Sequence, residues 1–172
     1  MRGKRRKERM ILKNATLHIG NGEVFQGDMR IADGKIVEVG KNINGDESRS
    51  LNGKHVFPGF IDSGNFLGAQ DMAFFAKDYN ENSNPVTPYL DIWHSIDPDE
   101  LSLQELYKAG ITSMLVTPGN EGILGGTCTV VKTKGKNINK ITVKRDAAMK
   151  ASMTSEVIRV FSGKGSPQTP MA

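Results

Sequence analysis

The residues with the chemistry to hold an ion or activate a nucleophile are few in this chain. Asp62 leads a short polar run, Asp62-Ser63-Gly64-Asn65, that follows two apolar residues, Phe60 and Ile61. A carboxylate at such a strand end can accept hydrogen bonds. Its neighbour Asn65 adds only a weak amide oxygen, and one such ligand does not make a metal site. Asp91, His94 and Asp97 can be drawn as a ligand set. Asp97, however, precedes Pro98-Asp99-Glu100, where it reads as a helix N-cap with Pro98 first in the helix and Glu100 in the capping-box position. His18 and His55 fall on different strands with no ligand spacing between them, so both read as ordinary strand residues.

Cys128 is the lone cysteine, which excludes an internal disulfide and a multi-cysteine zinc site. No designated base or acid lies beside it, so it reads as a small core residue rather than a nucleophile. Gly119, Gly122, Gly125 and Gly126 could cradle a phosphate. The run lacks the Gly-Lys-Ser/Thr ending of a P-loop and the Gly-x-Gly-x-x-Gly of a dinucleotide fold, so a turn-rich loop is expected.

The elements that must position these residues are legible from pattern. Ile11 to Ile19 alternates as a strand, with Leu17 and Ile19 on one side and Thr16 and His18 on the other. Asp28 to Ala32 and Lys35 to Val39 flank Asp33-Gly34, a strong two-residue hairpin signal. Leu51 to Phe57 returns as a further strand, giving four or five short strands that suggest a small sandwich or sheet. Pro58 removes a backbone donor and Gly59 relaxes the chain, marking a junction. Met72, Phe74 and Phe75 read as anchors of a loop or short helix, and residues 80–88 as irregular. Leu103, Leu106 and Tyr107 mark one face of a helix that Gly110 ends. Ile111 to Val116 is then a buried strand, parallel to Phe60-Ile61. Thr127 to Thr133 alternates as a strand, Lys132 to Lys144 reads as a solvated loop and strand edge, and Arg145 to Phe161 is expected to be a second helix.

The junction Pro58-Gly59-Phe60-Ile61-Asp62 resembles the first barrel strand of the amidohydrolase superfamily, above all its imidazolonepropionase-like and dihydroorotase-like members. The hairpin Ile31-Ala32-Asp33-Gly34-Lys35-Ile36, the run Asn84-Pro85-Val86-Thr87-Pro88, Ala109-Gly110-Ile111-Thr112 and Gly125-Gly126 support the likeness, which extends from Ile11 to Ala172. The resemblance implies an α/β fold: a small N-terminal β-sandwich portion followed by the first βα units of an incomplete TIM-type barrel. It also implies metal-dependent hydrolysis of C–N bonds in amides or cyclic amides, with zinc or another divalent ion as the family's cofactor. In the family this strand ends in His-x-His, and those two histidines hold the metal. The matching positions here are Gly64 and Phe66, a degenerate slot. No catalytic, cofactor-binding or metal-binding residue is therefore expected, no cofactor is expected, and Asp62 is read as a structural hydrogen-bond acceptor.

The expected organisation is a basic disordered tail over residues 1–10, a β-sandwich portion over 11–57, a partial α/β barrel over 58–163 and a disordered tail over 164–172. From Pro58 onward there are 115 residues, against about 250 in a complete (β/α)₈ barrel. A truncated or degenerate amidohydrolase-like protein, inactive alone, is the leading expectation. The alternative is a non-catalytic interaction module, since an incomplete sheet exposes edges that invite a homo-oligomer or pairing with a full-length relative. The formal charge of +4 is concentrated in Arg2, Lys4, Arg5, Arg6, Lys7 and Arg9 against Glu8, so the rest of the chain is near neutral. That tail reads as solvated, and nucleic-acid binding is not expected. Met10 is a second candidate start. With no signal-peptide pattern and no apolar run of the roughly 18 residues a membrane span requires, a cytoplasmic protein without a membrane partner is expected.

Overall fold

The computed structural model describes residues 9–45, 47–70 and 77–169. The basic run 1–8 and the anchors Met72, Phe74 and Phe75 lie outside them. The chain divides into two units, Met1–Pro58 and Gly59–Ala172.

The first unit carries β1 (Arg9–His18), β2 (Val24–Ala32), β3 (Lys35–Gly40), β4 (Ser48–Ser50) and β5 (His55–Val56). They form one sheet in the order β3-β2-β1-β4, with β5 also on β1. The β1–β2 and β2–β3 pairs are antiparallel, whereas β4 and β5 run parallel to successive stretches of β1. The hairpin between β2 and β3 turns at Asp33 and Gly34, both at positive φ (51° and 74°), as a type I′ turn requires. Ala15, Leu17 and Met29 form a small core with Leu12, Phe25, Ile31, Leu51 and Val56 against it. Ile19, expected to continue the strand on Leu17's side, lies beyond the end of β1 and is half exposed, whereas Leu17 is buried. Arg9 and Met10, expected in a tail, pair with Ala32 and Ile31 in β1. A bulge between Leu12 and Ala15 places Asn14 at φ 53°. There the buried Asp28 accepts hydrogen bonds from the backbone N–H groups of Asn14 and Ile43, both at 3.0 Å. One carboxylate thus satisfies two donors that the ladder leaves unpaired.

The second unit carries β6 (Phe60–Asn65), a 3₁₀ turn (Ile92–Ser95), α1 (Leu101–Lys108), β7 (Ile111–Val116), β8 (Leu124–Lys132), a one-turn α2 (Ile138–Ile141), β9 (Thr142–Ala151) and α3 (Ser155–Phe161). Its sheet has the order β6-β7-β8-β9. Only β6 and β7 are parallel, joined by a crossover that contains α1; β7–β8 and β8–β9 are antiparallel. The expected run of βα barrel units is therefore not shown. A barrel needs parallel strands throughout, and after β7 the chain folds back in hairpins. The architecture is a mixed α/β one with two sheets.

The core of this unit joins Ala69, Ile92, Ile96, Leu103, Met114, Val116, Val131 and Ile141. Leu103 of α1 is buried and Leu106 packs against the same core, while Tyr107 is more exposed. The helix starts three residues later than Asp97 suggested. Asp97 accepts from the Asp99 N–H in its own turn, and Glu100 takes the N-cap position. Gly110 follows the helix at φ 92°, the left-handed exit that glycine permits.

Residues 145–151, expected in a helix, belong instead to β9. Met149 pairs with Thr127 and Ala148 with Cys128, so sheet pairing overrides the helical preference of Ala and Met. Only Ser155–Phe161 is helical, with Val157 and Phe161 buried. Lys164 closes a 3₁₀ turn and Pro167 is buried. No helix among the described residues is long and apolar enough to cross a membrane.

Candidate functional site

The end of β6 is where the sequence reading concentrates. Phe60 and Ile61 bring Asp62 to the sheet beside Met114 of β7. Asp62 then turns its carboxylate along its own chain. One oxygen accepts from the Gly64 N–H at 2.9 Å and the other from the Asn65 side-chain amide at 2.5 Å. Asn65 is used in turn: its Oδ1 accepts from Leu67 N–H at 2.8 Å, and its carbonyl accepts from Thr117 N–H at 2.8 Å. Asp62 thus accepts hydrogen bonds within its own turn, and the side-chain oxygen of Asn65 holds Leu67 in the same turn. Phe66 stacks on Tyr79, with ring centroids 4.2 Å apart and planes at 19°.

The residues at this strand end do not fit a hydrolytic metal. Such an ion takes imidazole nitrogen or carboxylate oxygen at about 2.0–2.2 Å. Gly64 has no side chain and Phe66 presents a ring engaged with Tyr79, so neither supplies a ligand, and the lone carboxylate of Asp62 does not make a site by itself. Among the described residues no group of three or more His, Cys, Asp and Glu could hold a metal ion.

Near Tyr79 along the chain is a charged pair that sequence did not single out. Glu121, 7% exposed, receives the Lys77 ammonium at 3.0 Å. Burial pushes the Glu121 carboxyl up, but hydrogen bonds from Lys77 and Asn82, with the charges of Lys77 and Arg159, hold it below the ordinary carboxylate range. Glu121 lies in the glycine-rich stretch, whose loop is residues 117–123; Leu124, Gly125 and Gly126 belong to β8. The backbone N–H of Gly119 donates to Tyr79, and those of Ile123 and Leu124 donate to Pro85. These donors serve the fold rather than a phosphate.

The other candidates disperse. Asp91 accepts from Trp93 N–H at 2.9 Å and from the Arg145 guanidinium, which also lies 4.3 Å from the centre of the Trp93 ring. Burial pushes the Asp91 carboxyl up, yet Arg145 and the Trp93 N–H bring it below its usual value. His94 meets Trp93 edge-on, and Asp97 serves Asp99, so the three do not converge. Cys128 is 2% exposed, and burial raises its thiol pKa, which suits packing and not nucleophilic attack. His18 and His55, in contrast, are brought together: His18 Nε2 lies 2.8 Å from His55 Nδ1. Linear spacing hid this contact, because it arises from parallel pairing of β1 with β5.

No family model matches the chain, and no curated protein matches it. Among solved structures the chain is similar to an amidohydrolase from Thermotoga maritima MSB8, with a TM-score of 0.86 and 30% identity. The match covers 94% of this chain and 44% of that protein, so the chain spans less than half of its length. The relation is amidohydrolase-like, and it takes in nearly the whole sequence described above.

Proposed function

From that amidohydrolase-like relation we propose that this chain is a degenerate amidohydrolase-like scaffold without metal-dependent hydrolysis of its own. The family reaction would be hydrolysis of a C–N bond in an amide or cyclic amide. A divalent ion serves such chemistry by lowering the pKa of bound water towards about 7 and polarising the carbonyl. The observation that carries the reading is the end of β6. Gly64 and Phe66, neither of which offers a ligand atom in its side chain, stand where the resemblance puts two histidines. The test is turnover of cyclic amides and ureides by the purified chain with added zinc or manganese. No chelator-sensitive turnover is expected; turnover abolished by a chelator refutes the reading.

A second reading, an interaction module, is favoured by one feature. β6 is an edge of its sheet, and Phe60 and Ile61 on it are 59% and 74% exposed. Edge strands with apolar residues invite pairing. Light scattering after size exclusion separates the two: a monomer that stays monomeric with and without Ile61→Lys opposes the module.

A further inference from the structure

His18 ends β1 and His55 opens β5. Thr16 pairs with His55 and Leu17 with Val56, so His18 stands one step further on, beside Phe57. Residues two apart on a strand share a face, and the three rings rise on the same side of the sheet. His18 and His55 have ring centroids 5.1 Å apart at 26°, and Phe57 stacks on His18 at 4.0 Å and 14°. His18 is half-buried and His55 exposed.

We propose that His18 and His55 form a two-imidazole site for a first-row divalent cation of the copper, nickel or zinc type. Metal–imidazole bonds are about 2.0–2.1 Å, so two ligands at right angles, as in tetragonal copper or nickel sites, lie about 2.8–3.0 Å apart, and two at zinc's tetrahedral angle about 3.3–3.4 Å. The observed separation of 2.8 Å falls in the right-angle range, and a zinc ion needs the two rings to part by about 0.5 Å. In the metal-free pair one ring nitrogen donates to the other. On binding, that proton moves to the second nitrogen of its own ring, and both rings present a lone pair to the ion. Both rings must turn until their lone pairs meet at the ion, and His55 is exposed. The Phe57 stack restrains His18, which lowers the ordering cost of binding.

Among the described residues no third His, Cys, Asp or Glu completes the set. Water fills the remaining positions, so the ion is exchangeable and unlike a closed structural zinc. Imidazole selects copper, nickel and zinc over magnesium and calcium. The site is independent of β6 and of the reading proposed for it, because binding here requires no turnover and no change at Gly64 or Phe66.

The test is calorimetric titration of the full chain with copper(II), nickel(II), zinc(II) and magnesium chlorides. One copper, nickel or zinc ion per chain is expected, with no heat from magnesium. His18→Gln and His55→Gln should each weaken binding at least tenfold, while His94→Gln, the third histidine, should leave it unchanged. Circular dichroism checks that each variant is folded. Affinity retained in the His18→Gln/His55→Gln double variant overturns the proposal. So does a paramagnetic resonance spectrum of the copper adduct that shows a single imidazole nitrogen.

Discussion

Gly126→Ala perturbs the contact that fastens the segment before α1 onto β8. Gly126 sits at φ 109°, and a Cβ built there would lie 2.5 Å from the Leu90 carbonyl oxygen and 2.9 Å from its carbon. The obstacle is backbone, so no side chain can swing aside. Leu90 O also accepts from Thr127 N–H at 2.8 Å, part of the short parallel bridge between Asp91 and Thr127. An alanine at this φ costs about 1–3 kcal/mol, and displacing Leu90 forfeits a hydrogen bond of about 1 kcal/mol. The sum is roughly 2–4 kcal/mol. At about 4 °C per kcal/mol for a unit of this size, Tm should fall by roughly 8–16 °C. Thermal and urea melts measure it, with Gly163→Ala as the control. Gly163 has nothing within 4 Å of its Cβ position, so that change should stay within about 0.5 kcal/mol. If Gly126→Ala melts as the control does, the close approach at Leu90 does not hold the segment.

Two further outcomes follow from packing and charge. Leu103→Ala should destabilise the second unit by about 2–5 kcal/mol, since Leu103 is 1% exposed in its core; Leu101→Ala, at an exposed position, should cost under about 0.5 kcal/mol, and equal urea midpoints for the two would contradict the core assignment. Glu121 has a folded-state pKa below its unfolded value, so its contribution is present above the unfolded value of about 4.3 and is lost as pH falls through the folded one. Wild type should therefore lose more stability between pH 6 and pH 3 than Glu121→Gln does; parallel losses in urea melts would show that the Lys77 pair is not responsible.

What sequence revealed and what it hid divide along a physical line. The Asp33-Gly34 turn and the glycine that ends α1 are local devices, set by φ, and both stand where pattern put them. Asp62 was legible as an acceptor because its partners, Gly64 and Asn65, are within three residues. Gly59 was expected for backbone freedom, yet it serves a packing purpose: a Cβ there would lie 2.1 Å from Thr112 Oγ1. The His18–His55 contact depends on strand register, which spacing along the chain does not encode. The Arg145–Phe161 stretch misled for a related reason, since its Ala and Met residues favour helix until β8 supplies a ladder.

The two kinds of strand connection in the second unit differ in chain entropy. Nine residues, 133–141, link β8 to β9, whereas forty-five, 66–110, separate β6 from β7. A fivefold longer closure costs about 1.4 kcal/mol more. The hairpin is thus the cheaper nucleus, and β6, which carries the family-like junction, is the strand whose enrolment in the sheet costs the chain most freedom.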